Sequence, residues 1–299
     1  MTERQIISSE HVIFNFNPEI EAKWWVRPGV PLEIRCPDGV HGQIQNESDR
    51  YHGVDYDKIN DAVGPIHVEG AEPGDRLIFV IEDIRVPQDW GYILIVPKFG
   101  LLQDKVAEAH TKIVPIRDGK VVFNGLEIPL DPCIGTIGVA PAEGRYSTVI
   151  PHDHGGNMDT TAIRKGAHVH FPVNRPGGLI ALGDPKAAMG DGEVCGTGVG
   201  VPINVFAHME VVKNGRHPRP IIETDSEWQF VASADTLEEA CKLATADLIE
   251  VLRRVRGFTW AEAYMLVSIA GFLRISQVVD PLMTVRLAIA KAYLPRIDP

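Results

Sequence analysis

Four of the chain's 11 histidines, His152, His154, His168 and His170, fall between Pro151 and Phe171. The stretch running on to Gly196 adds Asp153, Asp159, Asp184, Asp191 and Glu193, with glycines at 155, 156, 177, 178, 183, 190, 192 and 196. Glycine at this density suits sharp turns and close backbone approach rather than helix. Imidazoles and carboxylates gathered by turns are the ordinary ligand set of zinc or another divalent cation, and the same residues on loops also make a solvated polar face.

The spacing narrows some of these choices. His168 and His170 share one face of a strand, with Val169 on the other, which suits two ligands or two solvent-facing polar groups. Asp191-Gly192-Glu193, if extended, puts two carboxylates on one face. Such a pair is costly unless a cation or a shared proton offsets the repulsion. Cys195 follows at once, but no thiolate-stabilising base stands beside it in the sequence, so a packed thiol is the simpler reading.

The elements that must hold these groups are mostly strands. Short apolar runs alternate with turn signals at Pro28-Gly29, Asp38-Gly39, Pro73-Gly74, Asp118-Gly119 and Asn124-Gly125. Arg76 to Ile84 alternates as a strand, and Val121 to Phe123 with Leu126 to Ile128 flank Asn124-Gly125 as a hairpin. The last third changes period. Asp235 with Glu238 reads as a capping box before an apolar stripe at Leu237, Ala240, Ala244, Leu248 and Val251. Thr259 with Glu262 repeats it before Ala263, Leu266 and Ala270, and Gly271 can end that helix. Phe272 to Val279 and Val285 to Leu294 follow as strands. The expected fold is mainly β with α+β: a sandwich- or barrel-like catalytic body over residues 1–210 and a small α+β unit over 211–299. The second unit lacks clustered acids and histidines and so reads as a packing or oligomerisation module.

Composition excludes several classes. With 299 residues, 44% hydrophobic and 23% charged, the chain has the make-up of a globular protein. A formal net charge of −11 disfavours nucleic acid as a partner. The sequence shows no apolar run of the roughly 20 residues that span a bilayer and no secretory signal pattern at Met1 to Glu10, so a soluble, cytoplasmic protein without membrane contact is expected. The four cysteines, Cys36, Cys133, Cys195 and Cys241, form no Cys-x-x-Cys pair, which disfavours a thiolate zinc site and a disulfide framework.

Several long segments carry a resemblance. Gly64 to Asp75 reads GPIHVEGAEPGD, His154 to Asp159 reads HGGNMD, Leu182 to Thr197 reads LGDPKAAMGDGEVCGT, and Tyr264 to Pro281 reads YMLVSIAGFLRISQVVDP. In these segments and their order the chain resembles the acetamidase/formamidase family of amide hydrolases. The resemblance implies a β-rich body with a small α+β C-terminal part, a homo-oligomer (dimer or higher) and hydrolysis of small amides such as formamide or acetamide. Some relatives act on lactams. It also implies a divalent metal, zinc with calcium as the alternative. The chain departs from the family pattern where Lys186 stands for the usual His, Met189 for a common Gln and His67 for a common Tyr. An ammonium cannot ligate a metal without losing its proton.

On this resemblance the expected metal ligands are His154, Asp159 and Asp184. Glu193 is the expected general base, Asp191 a supporting or ligand alternative, and Lys186 a cationic electrophile. A bound metal would lower the pKa of its water to about 7 and polarise the carbonyl. Turn amides at Gly155, Gly156 and Gly192 could donate to an oxyanion, and Ala187 and Ala188 suit a narrow pocket or close packing. Two alternatives stand beside this reading. One is a lactam or other amide hydrolase using Cys195 as nucleophile, and the other is a non-catalytic member altered at Lys186.

Overall fold

The structure, a computed structural model, describes residues 4–49, 53–215 and 217–298. It is mainly β, as the turn signals and alternating runs require. Nine strands form the largest sheet, in the order Gln5–Ile7, Leu32–Cys36, Ile203–Val212, Arg76–Arg85, His168–Pro172, Ile221–Glu223, Glu227–Ala234, Met283–Ala290 and Gly271–Gln277. Only the first pair is parallel.

A second sheet orders Gly155–Asn157, Cys133–Gly138, Ile180–Lys186, Ala62–Val68 and Val12–Ile13, with Trp24–Val26 parallel to Ala62–Val68. The expected hairpin is present as Lys120–Phe123 against Leu126–Pro129, in a four-stranded sheet with His110–Arg117 and Trp90–Ile95.

One apolar core fills the space between the two larger sheets. Ile203, Val205, Ala207 and Met209 alternate inward from one strand and join Leu77, Phe79, Val169 and Phe171. Ile66, Ile134, Ile137, Ile180 and Leu182 face them from the second sheet. This is sheet-on-sheet packing of the sandwich kind, and none of the sheets closes on itself.

Two helices, α1 (Leu237–Arg256) and α2 (Trp260–Ala270), cover the far end of the nine-stranded sheet. Ala240, Ala244, Leu248 and Leu252 of α1 join Trp228, Phe230, Leu287 and Ile289 in a second core. The N-cap of α1 is Thr236, which accepts from the Glu239 amide at 3.1 Å. That is one residue beyond the expected Asp235–Glu238 pair. Thr259 and Glu262 form the expected capping box of α2. Gly271 has φ −90°, so the helix passes straight into the edge strand without a left-handed cap.

The expected division at 210/211 falls inside strand Ile203–Val212, and the second core begins at Ile221. The nine-stranded sheet runs unbroken across that point. Among the described residues no helix is long and apolar enough to cross a membrane.

Candidate active site

The second sheet brings the acidic groups together. Asp184 and Lys186 end strand Ile180–Lys186, two residues apart, with the antiparallel neighbour Cys133–Gly138 beside them. Asp159 follows strand Gly155–Asn157 and is held by its amide, which donates to Gly135 O at 3.1 Å. Glu193 sits in the loop that leaves Lys186, where the Gly198 amide donates to its Oε1 at 2.8 Å.

These four side chains meet at one ammonium. Lys186 Nζ lies 2.5 Å from Asp184 Oδ2, 3.3 Å from Asp159 Oδ1 and 3.6 Å from Glu193 Oε1. All four residues are 5% exposed or less. Asp159 and Glu193 thus reach the same ammonium from separate segments, and two buried carboxyl groups held in one cluster are costly to ionise together.

Burial pushes Glu193 well above the ordinary carboxylate range, and the charges of Asp159 and Asp184 add to the push against the pull of Lys186. Asp159 is raised by burial too, with the charge of Lys186 pulling against the shift. For Lys186, burial disfavours the charge, yet the attraction of Asp159, Asp184 and Glu193 outweighs it and holds the pKa well above the ordinary lysine value. The ammonium is therefore charged at neutral pH.

The backbone is strained where the acids sit. Asp159, Asp184 and Glu193 have φ of 39°, 49° and 44°, and the neighbouring Asn60 has φ 48°. Left-handed φ is uncommon outside glycine, and residues held there cluster at functional sites. Two glycines make room for the carboxylates. A Cβ on Gly39 would stand 2.1 Å from Asp184 Oδ1, and one on Gly135 would stand 2.4 Å from Asp159 Oδ1.

A cavity of about 240 Å³ opens onto this cluster. Its apolar wall includes Val40, Leu94, Val96 and Phe99, and its polar end also presents Asn60, Tyr92, Asn157 and Asp280. The Tyr92 hydroxyl donates to Asp38 Oδ1 at 3.1 Å. Asn157 is fixed by Thr136, whose hydroxyl donates to its Oδ1 at 2.6 Å, and its Nδ2 donates to Asp280 Oδ2 at 2.9 Å. Burial, together with the charges of Asp159 and Asp184, raises Asp280 well above the ordinary range.

Asp280 and Pro281 lie between strands Gly271–Gln277 and Met283–Ala290. The C-terminal part, expected only to pack or assemble, thus contributes an acid to the cavity. It also holds the Glu193 loop: the Gly192 amide donates to Ser276 O at 2.8 Å, and the Val278 amide donates to Gly192 O at 3.2 Å.

Other expected residues lie elsewhere. His154 does not border this cavity. Its buried ring packs against Phe16 and Tyr146, at centroid distances of 5.0 and 5.1 Å. Neither ring nitrogen has a hydrogen-bond partner among the described residues. The ring lines a separate cavity of about 260 Å³ with Glu143, Tyr146 and His152. Asp191 is paired with Arg286 Nη2 at 2.6 Å and is also outside the cavity wall.

His170 Nε2 faces Glu223 at 3.0 Å, and His168 Nδ1 faces the same carboxylate at 3.6 Å. His67 stands beside Gly177. None of these imidazoles takes the place of the one absent at Lys186. The Gly155 amide donates to His152 O, and Gly156 pairs with Ile137, so these amides, like that of Gly192, belong to the backbone ladder. The Cys195 thiol donates to Leu94 O and Thr197 O and does not border the cavity. Ala187 is packed in the main core.

The residues present do not fit the expected metal. As they stand around Lys186, no three His, Cys, Asp or Glu side chains among the described residues are placed to hold an ion. The point that the three carboxylates share is taken by the Lys186 ammonium.

Comparison with known proteins places these features in a family. The model of the Acetamidase/Formamidase family matches residues 2–146 and 142–295. An acetamidase from Bacillus halodurans is 37% identical with a TM-score of 0.95, over 98% of this chain and 99% of that one. A predicted acetamidase/formamidase from Thermoanaerobacter tengcongensis is 40% identical with a TM-score of 0.94, over 97% and 96%. A formamidase from Methylophilus methylotrophus is 28% identical over a stretch that covers 60% of this chain and 59% of that protein. The chain therefore belongs to the acetamidase/formamidase family, hydrolases that act on the carbon–nitrogen bond of linear amides.

Proposed function

We propose that this chain hydrolyses a small uncharged primary amide to its carboxylate and ammonia, with Asp159 and Glu193 as a proton-sharing acid pair and Lys186 as the oxyanion partner. The observation that carries the reading is the placement of two buried carboxyl groups, Asp159 and Glu193, on one ammonium at the end of a small, largely apolar cavity. Two carboxyl groups held together cannot both ionise readily, so one enters as base and the other as acid.

The roles follow from the local charges. Asp159 lies nearer the Lys186 ammonium, at 3.3 Å against 3.6 Å, and acts as the ionised member, while Glu193 keeps the shared proton. An arriving carbonyl oxygen takes the place of Asp159 Oδ1 on the ammonium, which frees Asp159 to accept a proton from water. The water oxygen bonds to the carbonyl carbon, and the charge that develops on the carbonyl oxygen rests on Lys186 Nζ. Glu193 gives its proton to the amide nitrogen, the carbon–nitrogen bond breaks, and ammonia leaves. Asp159 then holds the water proton and Glu193 has lost its own, so transfer between them restores the pair, and the released acid gives its proton to ammonia, leaving carboxylate and ammonium.

The cavity favours a small, uncharged substrate. About 240 Å³, walled by Val40, Leu94, Val96 and Phe99, holds a short acyl group, and its acidic end repels a substrate carboxylate. Ammonia release from formamide, acetamide and propionamide tests the reading. Asp159→Asn and Glu193→Gln should each lower turnover by about two to four orders of magnitude while the fold is kept. Near-normal turnover in both variants defeats it. Thiol alkylation should leave activity unchanged, since Cys195 takes no part.

A further inference from the structure

Three carboxylates from three separate segments aim at one point, and that point is occupied by a side chain of the same protein. Asp184 ends a strand, Asp159 follows another and Glu193 belongs to a loop, yet each has an oxygen within 3.6 Å of Lys186 Nζ. The backbone oxygen of Asp184 adds a fourth acceptor at 3.4 Å. Carboxylate and carbonyl oxygens converging in this way are the usual surroundings of a hard divalent cation. We propose that the Lys186 ammonium is the resident cation of this cluster, standing where a divalent ion would otherwise bind, so that the cluster is complete without a metal.

Several features support the assignment. The ammonium has an acceptor for each of its protons, in Asp184 Oδ2 at 2.5 Å, Asp159 Oδ1 at 3.3 Å and Asp184 O at 3.4 Å. The lysine stem has a built path to the centre, because Gly198 has no Cβ and one placed there would stand 3.1 Å from Lys186 Cγ. Gly39 and Gly135 keep the carboxylates close to the ammonium, since a Cβ on either would meet an Asp184 or Asp159 oxygen. A divalent ion admitted beside the ammonium would share the same oxygens with a like charge only a few ångströms away. Removing the ammonium alone should leave an oxygen-lined vacancy of the right chemistry for manganese, calcium or zinc.

The test reads metal content and thermal stability, so its outcome does not depend on whether the site hydrolyses amides. The relevant quantity is the bound metal that Asp159→Asn removes, measured by elemental analysis after incubation with manganese, calcium or zinc and desalting. Purified wild-type protein should hold none of this metal, and its melting temperature should be the same with a chelator or with each ion. Lys186→Ala should take up one Asp159-dependent ion per chain and gain thermal stability from it. Lys186→His serves the same purpose if the alanine variant does not fold.

Stoichiometric Asp159-dependent metal in the wild type overturns the proposal, whether or not the variants fold. So does failure of folded Lys186→Ala and Lys186→His to bind any of the three ions. Amidase activity in metal-free wild type supports both this inference and the proposed reaction. Metal-free but inactive protein defeats the reaction alone.

Discussion

Asp191 and Glu193 are separated by one glycine, yet Asp191 takes the Arg286 guanidinium at 2.6 Å while Glu193 faces the Lys186 ammonium at 3.6 Å. The chain turns between them, with φ 95° at Gly192 and 44° at Glu193, so the extended geometry that would place both on one face does not form. Their substitutions should therefore fail differently. Asp191→Asn leaves the buried Arg286 without its counter-charge and should cost about 1–3 kcal/mol of stability. Its turnover per folded molecule should stay within about threefold of wild type. Glu193→Gln should retain its unfolding free energy to within about 1 kcal/mol and lose turnover about 100-fold or more. Denaturant unfolding and steady-state kinetics on the two variants separate the roles, and a turnover loss in Asp191→Asn equal to that of Glu193→Gln would reassign Asp191 to the chemistry.

Gly135 offers a test of the site's packing. It lies on strand Cys133–Gly138, and a Cβ there would meet Asp159 Oδ1 at 2.4 Å, Asp184 O at 2.6 Å and Asp184 Oδ2 at 2.7 Å. One of these is backbone oxygen on the paired strand, which cannot swing aside. Gly135→Ala should therefore displace both aspartates, lowering turnover at least about tenfold and stability by about 1–3 kcal/mol. Gly119→Ala is a useful contrast, since its added Cβ meets nothing within 4 Å. It has φ 70°, so any loss there is backbone strain away from the cavity, and its turnover should be unchanged.

Much of this site was legible in the sequence, and what was missed has physical reasons. Asp159, Asp184, Lys186 and Glu193 all fall in the glycine-rich stretch, and turns do bring them together. His154 belongs to the same stretch but is not beside them, because strand Gly155–Asn157 and a left-handed residue at Asp159 separate it from the cluster. Asp280 is hard to read from sequence because it stands alone between two strands, with no acid or histidine near it in the chain. Its only signal was its place in the segment ending VVDP, as Asn157's was its place in HGGNMD. Tyr92 had none, being one aromatic in an ordinary strand. The fold was easier. Alternation and turn residues report strands locally, whereas the joining of the C-terminal strands to the main sheet depends on pairings between distant segments.

Asp280 gives a prediction about pH. Its charge is one of the influences that raise Glu193, alongside burial, Asp159 and Asp184. The proposed reaction needs one proton on the Asp159–Glu193 pair, so turnover should fall on the alkaline side as that proton is lost. A raised Glu193 places this limb above the ordinary carboxylate range. Asp280→Asn removes one source of the shift and should move the alkaline limb of the kcat profile to lower pH. An alkaline limb that stays in place or moves upward in the variant argues against coupling between the two acids.

His154 should make the protein sensitive to acid for reasons unrelated to catalysis. Burial, with a smaller contribution from His152, depresses its pKa from 6.5 to about 3, and its ring packs against Phe16 and Tyr146. A histidine kept neutral in the folded state and free to charge when unfolded stabilises the fold fully above pH 6.5. That contribution is lost as pH falls from 6.5 through about 3. The shift corresponds to an effect on the order of 4 kcal/mol. Asp61 acts in the opposite sense: burial raises it to about 6, against the pull of His41, so its contribution is present below pH 3.8 and lost as pH rises through about 6. Between pH 6 and 4 the two slopes are of opposite sign and similar size, so the His154 contribution is read from the difference between a variant and wild type, not from the wild-type slope. His154→Phe keeps a ring of similar size among the same aromatic neighbours and removes the titration. Urea unfolding at pH 7, 6, 5 and 4 should show a shallower loss of stability in this variant than in wild type. Parallel curves for the two proteins would mean that His154 is no more shielded from protons in the folded chain than in the unfolded one.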